Sequence, residues 1–112
     1  MKVSSKVEEQ SSIVCVEEER IDAAVALAFK DAMRKSTEGA EKRVVLDLHK
    51  VTFVDSSGLG AIVATLKHVT PERTLVLAGL TPAVKKVFTL TRMDTVFRLF
   101  DTLDDAMKAS NA

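Results

Sequence analysis

Apolar and polar positions along the chain fall into short blocks whose period changes from one block to the next. Residues 2–8 and 12–17 read as two short strands, with Gln10-Ser11-Ser12 as the turn of a hairpin. Beyond Ile21-Asp22 the period lengthens. Val25, Ala28, Phe29, Ala32 and Met33 recur at helical spacing and predict a helix over about residues 23–37, with Asp22 as its N-cap and Gly39 at its exit. Arg43 to Leu48 is an almost unbroken apolar run, the pattern of a strand covered on both faces. A second helix is predicted over 57–69, with Leu59, Ile62, Val63 and Leu66 inward and Pro71 closing it. Thr74 to Ala78 repeats the buried-strand pattern. Thr81-Pro82 opens a third helix facing inward through Val84, Val87, Phe88 and Thr91. Val96 to Phe100 is expected as an edge strand, and Thr102-Leu103-Asp104-Asp105 resembles a capping box ahead of a last helix. The order β-β-α-β-α-β-α-β-α predicts an α/β fold whose leading hairpin makes the sheet mixed and mostly parallel.

Composition narrows the function classes. At 112 residues, with 46% hydrophobic and 29% charged positions, the chain is expected to be one globular domain over 1–112. Net charge is zero. No basic cluster is interleaved with aromatics, and Trp and Tyr are absent, so no direct nucleic-acid partner is expected. No apolar stretch approaches the ~18 residues of a membrane span, and the amino terminus lacks a signal-peptide core. The lone Cys15 cannot form an internal disulfide and reads as a small buried hydrophobe, which fits a cytoplasmic location.

The candidate chemistry sits at Val54-Asp55-Ser56-Ser57-Gly58-Leu59-Gly60, where a strand–loop meets the second helix. Three roles compete: a helix cap, a nucleophile or a switch. A nucleophile elbow requires Gly-x-Ser-x-Gly, and the leading glycine is missing. The histidines, His49 and His68, are poorly positioned; at ~1.5 Å of rise per residue, His68 lies at the far end of the helix. No Gly-Lys pair signals a phosphate-binding loop, and Asp47, His49 and Asp55 alone make a weak case for a metal. No catalysis, cofactor or metal is therefore expected. A cap accounts for a serine here, but each early-helix glycine costs ~1 kcal/mol. Gly58 and Gly60 make more sense if something approaches the backbone closely, either a partner or a neighbouring strand. A helix amino end also accommodates an anion, so a serine there can accept a phosphate while the fold persists.

The run Val44-Val45-Leu46-Asp47-Leu48 with Val51-Thr52-Phe53-Val54-Asp55-Ser56-Ser57-Gly58-Leu59-Gly60 resembles the strand–loop–helix signature of bacterial anti-sigma factor antagonists, small proteins of the STAS domain family. Ile21-Asp22 and Leu80 to Phe88 are similar to two further segments of that family, while Glu19-Arg20 and Thr91-Arg92-Met93 depart from its usual residues. The resemblance covers nearly the whole chain and implies a STAS-like sheet of about five strands with about four helices. It further implies that Ser56 is phosphorylated by an anti-sigma factor that is also a serine kinase. A serine phosphatase would reverse the change, and only the unphosphorylated form would bind the anti-sigma factor and so release that factor's client. Asp22, Asp55, Ser57, Gly58, Leu59 and Gly60 would form the docking region, and the free protein would be a monomer or weak dimer. The other function consistent with the resemblance is a STAS scaffold or sensor module in a larger assembly, with Ser56 only a cap.

Overall fold

Three apolar runs, Ser11–Val16, Arg43–Asp47 and Thr74–Ala78, pair side by side because each is buried on both faces and has to be covered twice. A computed structural model describes residues 1–109. Strands β1 (Val3–Glu8) and β2 (Ser11–Val16) form the hairpin, and β4 (Arg43–Asp47), β6 (Thr74–Ala78) and β7 (Arg98–Phe100) complete a five-stranded sheet. The sheet order is β1-β2-β4-β6-β7, with β1 antiparallel to β2 and every other pair parallel. Four helices connect or follow the strands: α1 (Ala26–Thr37), α2 (Ser56–Val69), α3 (Pro82–Leu90) and α4 (Leu103–Lys108). The predicted mixed, mostly parallel sheet and its four helices are thus present. Two short strands the periodicity does not reveal, β3 (Arg20–Ile21) and β5 (Phe53–Val54), pair in parallel as a separate small sheet.

The sheet divides the core in two. Val14, Val16, Val44, Leu46, Leu75 and Leu77 point to one face and pack with Phe29 and Met33 of α1, Ile62 of α2, and Val84 and Phe88 of α3. On the other face Ile13, Val45, Val76 and Ala78 are covered by Ala106, Leu103 and Met107 of α4. Among the described residues, no helix is long and apolar enough to cross a membrane.

Several expected boundaries shift, each for a local reason. The hairpin turns at Glu9-Gln10, both at positive φ, so Ser11 and Ser12 are buried strand residues rather than turn residues. Ser12 Oγ instead accepts the Glu41 backbone N–H at 2.9 Å. Helix α1 begins at Ala26 rather than 23, and Asp22 is not its N-cap; Val25 holds that position without a side-chain cap. Residues 23–25 form a turn, tied by the Val25 N–H to Asp22 O at 3.1 Å and by the Ala23 N–H to the Asp55 carboxylate. Ala28, expected inward, is exposed; the buried line of α1 is Phe29, Met33 and Thr37. Thr81 makes no side-chain cap on α3 because its hydroxyl donates to Val51 O at 2.8 Å. The edge strand is shorter than expected. Met93–Thr95 form a turn of 3-10 helix, and Phe97 rotates into the core, its ring edge-on to Phe88 at 5.8 Å. The Thr102 cap is present, accepting the Asp105 N–H at 3.0 Å.

Candidate functional site

Helix α2 starts where β5 ends, and its amino end is built by Asp55. This residue has extended backbone, so its carboxylate can fold over the first turn: Oδ1 accepts the Gly58 N–H at 2.8 Å. Oδ2 accepts the Ala23 N–H at 3.1 Å, which joins the cap to the turn that follows β3. The Gly58 N–H foremost, then those of Ala23 and Ser57, with a smaller contribution from the Arg20 charge, hold the Asp55 carboxyl below its ordinary value. The cap expected of Ser56 is therefore Asp55, one residue earlier. Ser56 is the first helical residue, and its side chain is exposed; Ser57 is exposed beside it.

The two glycines separate in role. Gly58 is buried, and a Cβ there would lie 1.8 Å from the carbonyl oxygen of Ile21. The neighbour that requires it is β3, crossing the first turn of α2. Gly60 is exposed, and an added Cβ would meet nothing within 4 Å. Leu59 is half-buried and packs against the larger core cluster. Asp22 is also half-buried: Oδ1 accepts the Ala24 N–H at 3.2 Å and Oδ2 pairs with Arg20 Nε at 3.0 Å. The structure thus brings the Asp22 turn against Asp55, ahead of Ser56 and Ser57.

Sequence reasoning missed the surface beside this turn. In the β3–β5 pair Ile21 and Val54 point inward, and Arg20 and Phe53 point outward. The Arg20 guanidinium lies 4.1 Å from the centre of the Phe53 ring, which stays 40% exposed. A large exposed aromatic held by a cation is the residue chemistry of interaction hot spots. The in–out alternation of Arg20-Ile21 and Phe53-Val54 is its only sequence signal, and two-residue strands are too short for periodicity to detect. Glu17 and Glu18 are both engaged: Glu17 pairs with Lys50 at 2.6 Å and Glu18 accepts the Lys2 N–H at 3.1 Å.

Among the described residues neither hydroxyl is hydrogen-bonded to a histidine. His49 Nδ1 lies 3.0 Å from both Asp47 carboxylate oxygens, and His68 is in the last turn of α2. Asp55 does not join Asp47 and His49 as a ligand set, since its carboxylate caps α2. What the site offers is an exposed hydroxyl pair on a capped helix end, flanked by two carboxylates and an aromatic.

The same arrangement of strands and helices occurs in proteins of known structure. An anti-sigma factor antagonist from Mycobacterium paratuberculosis superposes with a TM-score of 0.87 at 29% identity, over 99% of this chain and 94% of that one. The Bacillus cell fate determinant SpoIIAA, in its phosphorylated form, shares the fold at a TM-score of 0.65 and 15% identity, over 96% of this chain and 97% of that one. A STAS-domain containing protein of Pseudomonas aeruginosa (strain UCBPP-PA14) is 28% identical over 81 residues, 71% of this chain and 79% of its own length. Residues 4–106 match the STAS domain. With that span running from β1 into α4, and with the capped Asp55-Ser56 helix end at its centre, the chain belongs to the STAS domain family.

Proposed function

We propose that this protein is an anti-sigma factor antagonist that works by partner switching, with Ser56 as its phosphorylated residue. The observation that carries this is the division of labour at the α2 amino end. Asp55 supplies the cap, so the exposed Ser56 hydroxyl has no structural task and is open to an enzyme. A phosphate on Ser56 adds about −1.5 to −2 charge at the positive end of the helix, which tolerates it. The same charge stands beside Asp55 and the Asp22 turn, so the surface becomes strongly negative while the fold persists.

In the unphosphorylated state the docking surface consists of the exposed Ser56, Ser57 and Gly60, half-buried Leu59, and the carboxylates of Asp22 and Asp55. Gly58 contributes by letting β3 lie against the helix. The partner is an anti-sigma factor with serine kinase activity, and a serine phosphatase regenerates the binding form. A hundred- to thousand-fold loss of affinity on phosphorylation requires about 3–4 kcal/mol. Repulsion and desolvation of a dianion pressed against a partner surface supply energies of that order.

The test is incubation with the cognate kinase and ATP, followed by mass spectrometry of the intact protein and its peptides. One phosphate is expected on Ser56, absent from Ser56→Ala and retained by Ser57→Ala. Undiminished labelling of Ser56→Ala refutes the assignment.

A further inference from the structure

On the α4 side of the sheet, away from the α2 amino end, a second group of side chains converges. β2 and β4 run parallel with Cys15 opposite Asp47, so these two side chains stand next to each other. His49, two residues further on, turns back over Asp47. Its Nδ1 lies 3.0 Å from each carboxylate oxygen and 3.9 Å from Cys15 Sγ, and its backbone N–H donates to Asp47 Oδ1 at 3.1 Å. One sulfur, one nitrogen and one oxygen thus lie within 4.8 Å of one another. Asp47 is buried, Cys15 half-buried and His49 exposed, and the three line an open groove together with Ser4, Glu17 and Leu103. Gly79 makes room for the turn. It has φ +71°, and a Cβ there would stand 2.7 Å from Asp47 Oδ1 and 3.0 Å from His49 Cβ. Cys15, expected as a buried hydrophobe, is instead part of a polar cluster.

We propose that Cys15, Asp47 and His49 bind a divalent transition-metal cation of the zinc class, through three protein ligands with a fourth position open to the groove. Thiolate, imidazole and carboxylate together suit a borderline cation such as Zn²⁺ and not Mg²⁺ or Ca²⁺, which take oxygen alone. Tetrahedral zinc with ordinary bond lengths sets its ligand atoms about 3.4–3.6 Å apart. The separations of 3.0 and 3.9 Å straddle that spacing, and the exposed His49 ring is free to make the adjustment. On binding, the thiol proton leaves to solvent, the imidazole carries its single proton on Nε2, and Nδ1 turns from the carboxylate to the metal. Burial foremost, then the Asp47 charge, pushes the Cys15 thiol up to about 11. The segments leaving the cluster, 16–19 and 50–52, lead into β3 and β5, so a cation would tie together the two strands that flank the α2 amino end.

Calorimetric titration of the full chain with ZnCl₂ tests this, with Co²⁺ as a spectroscopic probe. One Zn²⁺ per chain is expected, with affinity falling at least about tenfold in both Cys15→Ser and His49→Gln. Co²⁺ should give a thiolate-to-metal absorption that Cys15→Ser abolishes, and His68→Gln should behave as wild type. Circular dichroism verifies folding; His49 is exposed, so His49→Gln keeps the test intact if Cys15→Ser misfolds. Absence of zinc binding by the wild type, binding undiminished in His49→Gln, or cobalt bound without a thiolate band overturns the proposal. The last two results would assign the metal to other surface groups.

Discussion

At the scale of the residue, the site depends on which of three adjacent side chains does the capping. Asp55 accepts from Gly58 and Ala23, whereas Ser56 is exposed at the first helical position. Ser56→Ala should therefore leave stability within about 0.5 kcal/mol of wild type, as for other surface changes. Asp55→Ala should destabilise clearly, because two backbone N–H groups lose their acceptor. Urea unfolding of the two variants checks both. Acid should expose the same cap. The Asp55 carboxyl is held below its ordinary value in the folded chain, so its contribution is full above the ordinary aspartate value. It is lost as pH falls through the depressed folded value. The stability gap between wild type and Asp55→Asn should narrow across that acidic window in denaturation series at successive pH values. The sequence pointed to this residue cluster but not to the division within it. Asp, Ser and Ser are all good N-caps, and only the backbone conformation of residue 55 decides among them.

At the scale of the element, α2 is located by the strand that crosses it. Its first turn lies under β3, with Ile21 O where a Gly58 side chain would begin. Gly58→Ala should cost more than the ~1–3 kcal/mol typical of overpacking, since the obstacle is backbone. Gly60→Ala should be neutral or stabilising by up to about 1 kcal/mol, as alanine is the better helix former and the site is open. Thermal unfolding of both variants distinguishes a close approach from a tolerated glycine. Helices and buried strands were legible because their side chains repeat over several turns or residues. The β3–β5 pair was not: its strands are two residues long, and its pairing joins residues 33 positions apart. Helix α1 was expected too early because residues 23–25 form a turn, in which Asp22 accepts the Ala24 and Val25 N–H groups and Asp55 accepts that of Ala23.

At the scale of the molecule, the sheet separates two surfaces. Helices α1, α2 and α3 fill one face, and α4 alone covers the other. Charge added at the α2 amino end enters an exposed surface and leaves both cores untouched. Ser56→Asp should retain the wild-type circular dichroism and thermal midpoint within a few degrees while binding the proposed anti-sigma partner at least about tenfold more weakly. Calorimetry or surface binding with purified partner measures the difference. By itself the sequence determined the α/β order, the mixed sheet and the position of the candidate site, because these follow from apolar periodicity and from local residue types. Only the tertiary structure decided that Asp55 is the cap, that β3 is what Gly58 makes room for, and that Cys15 meets Asp47 and His49. Each of these is a contact between segments distant in sequence, made by one or two residues, and so short an encounter leaves no repeating pattern along the chain.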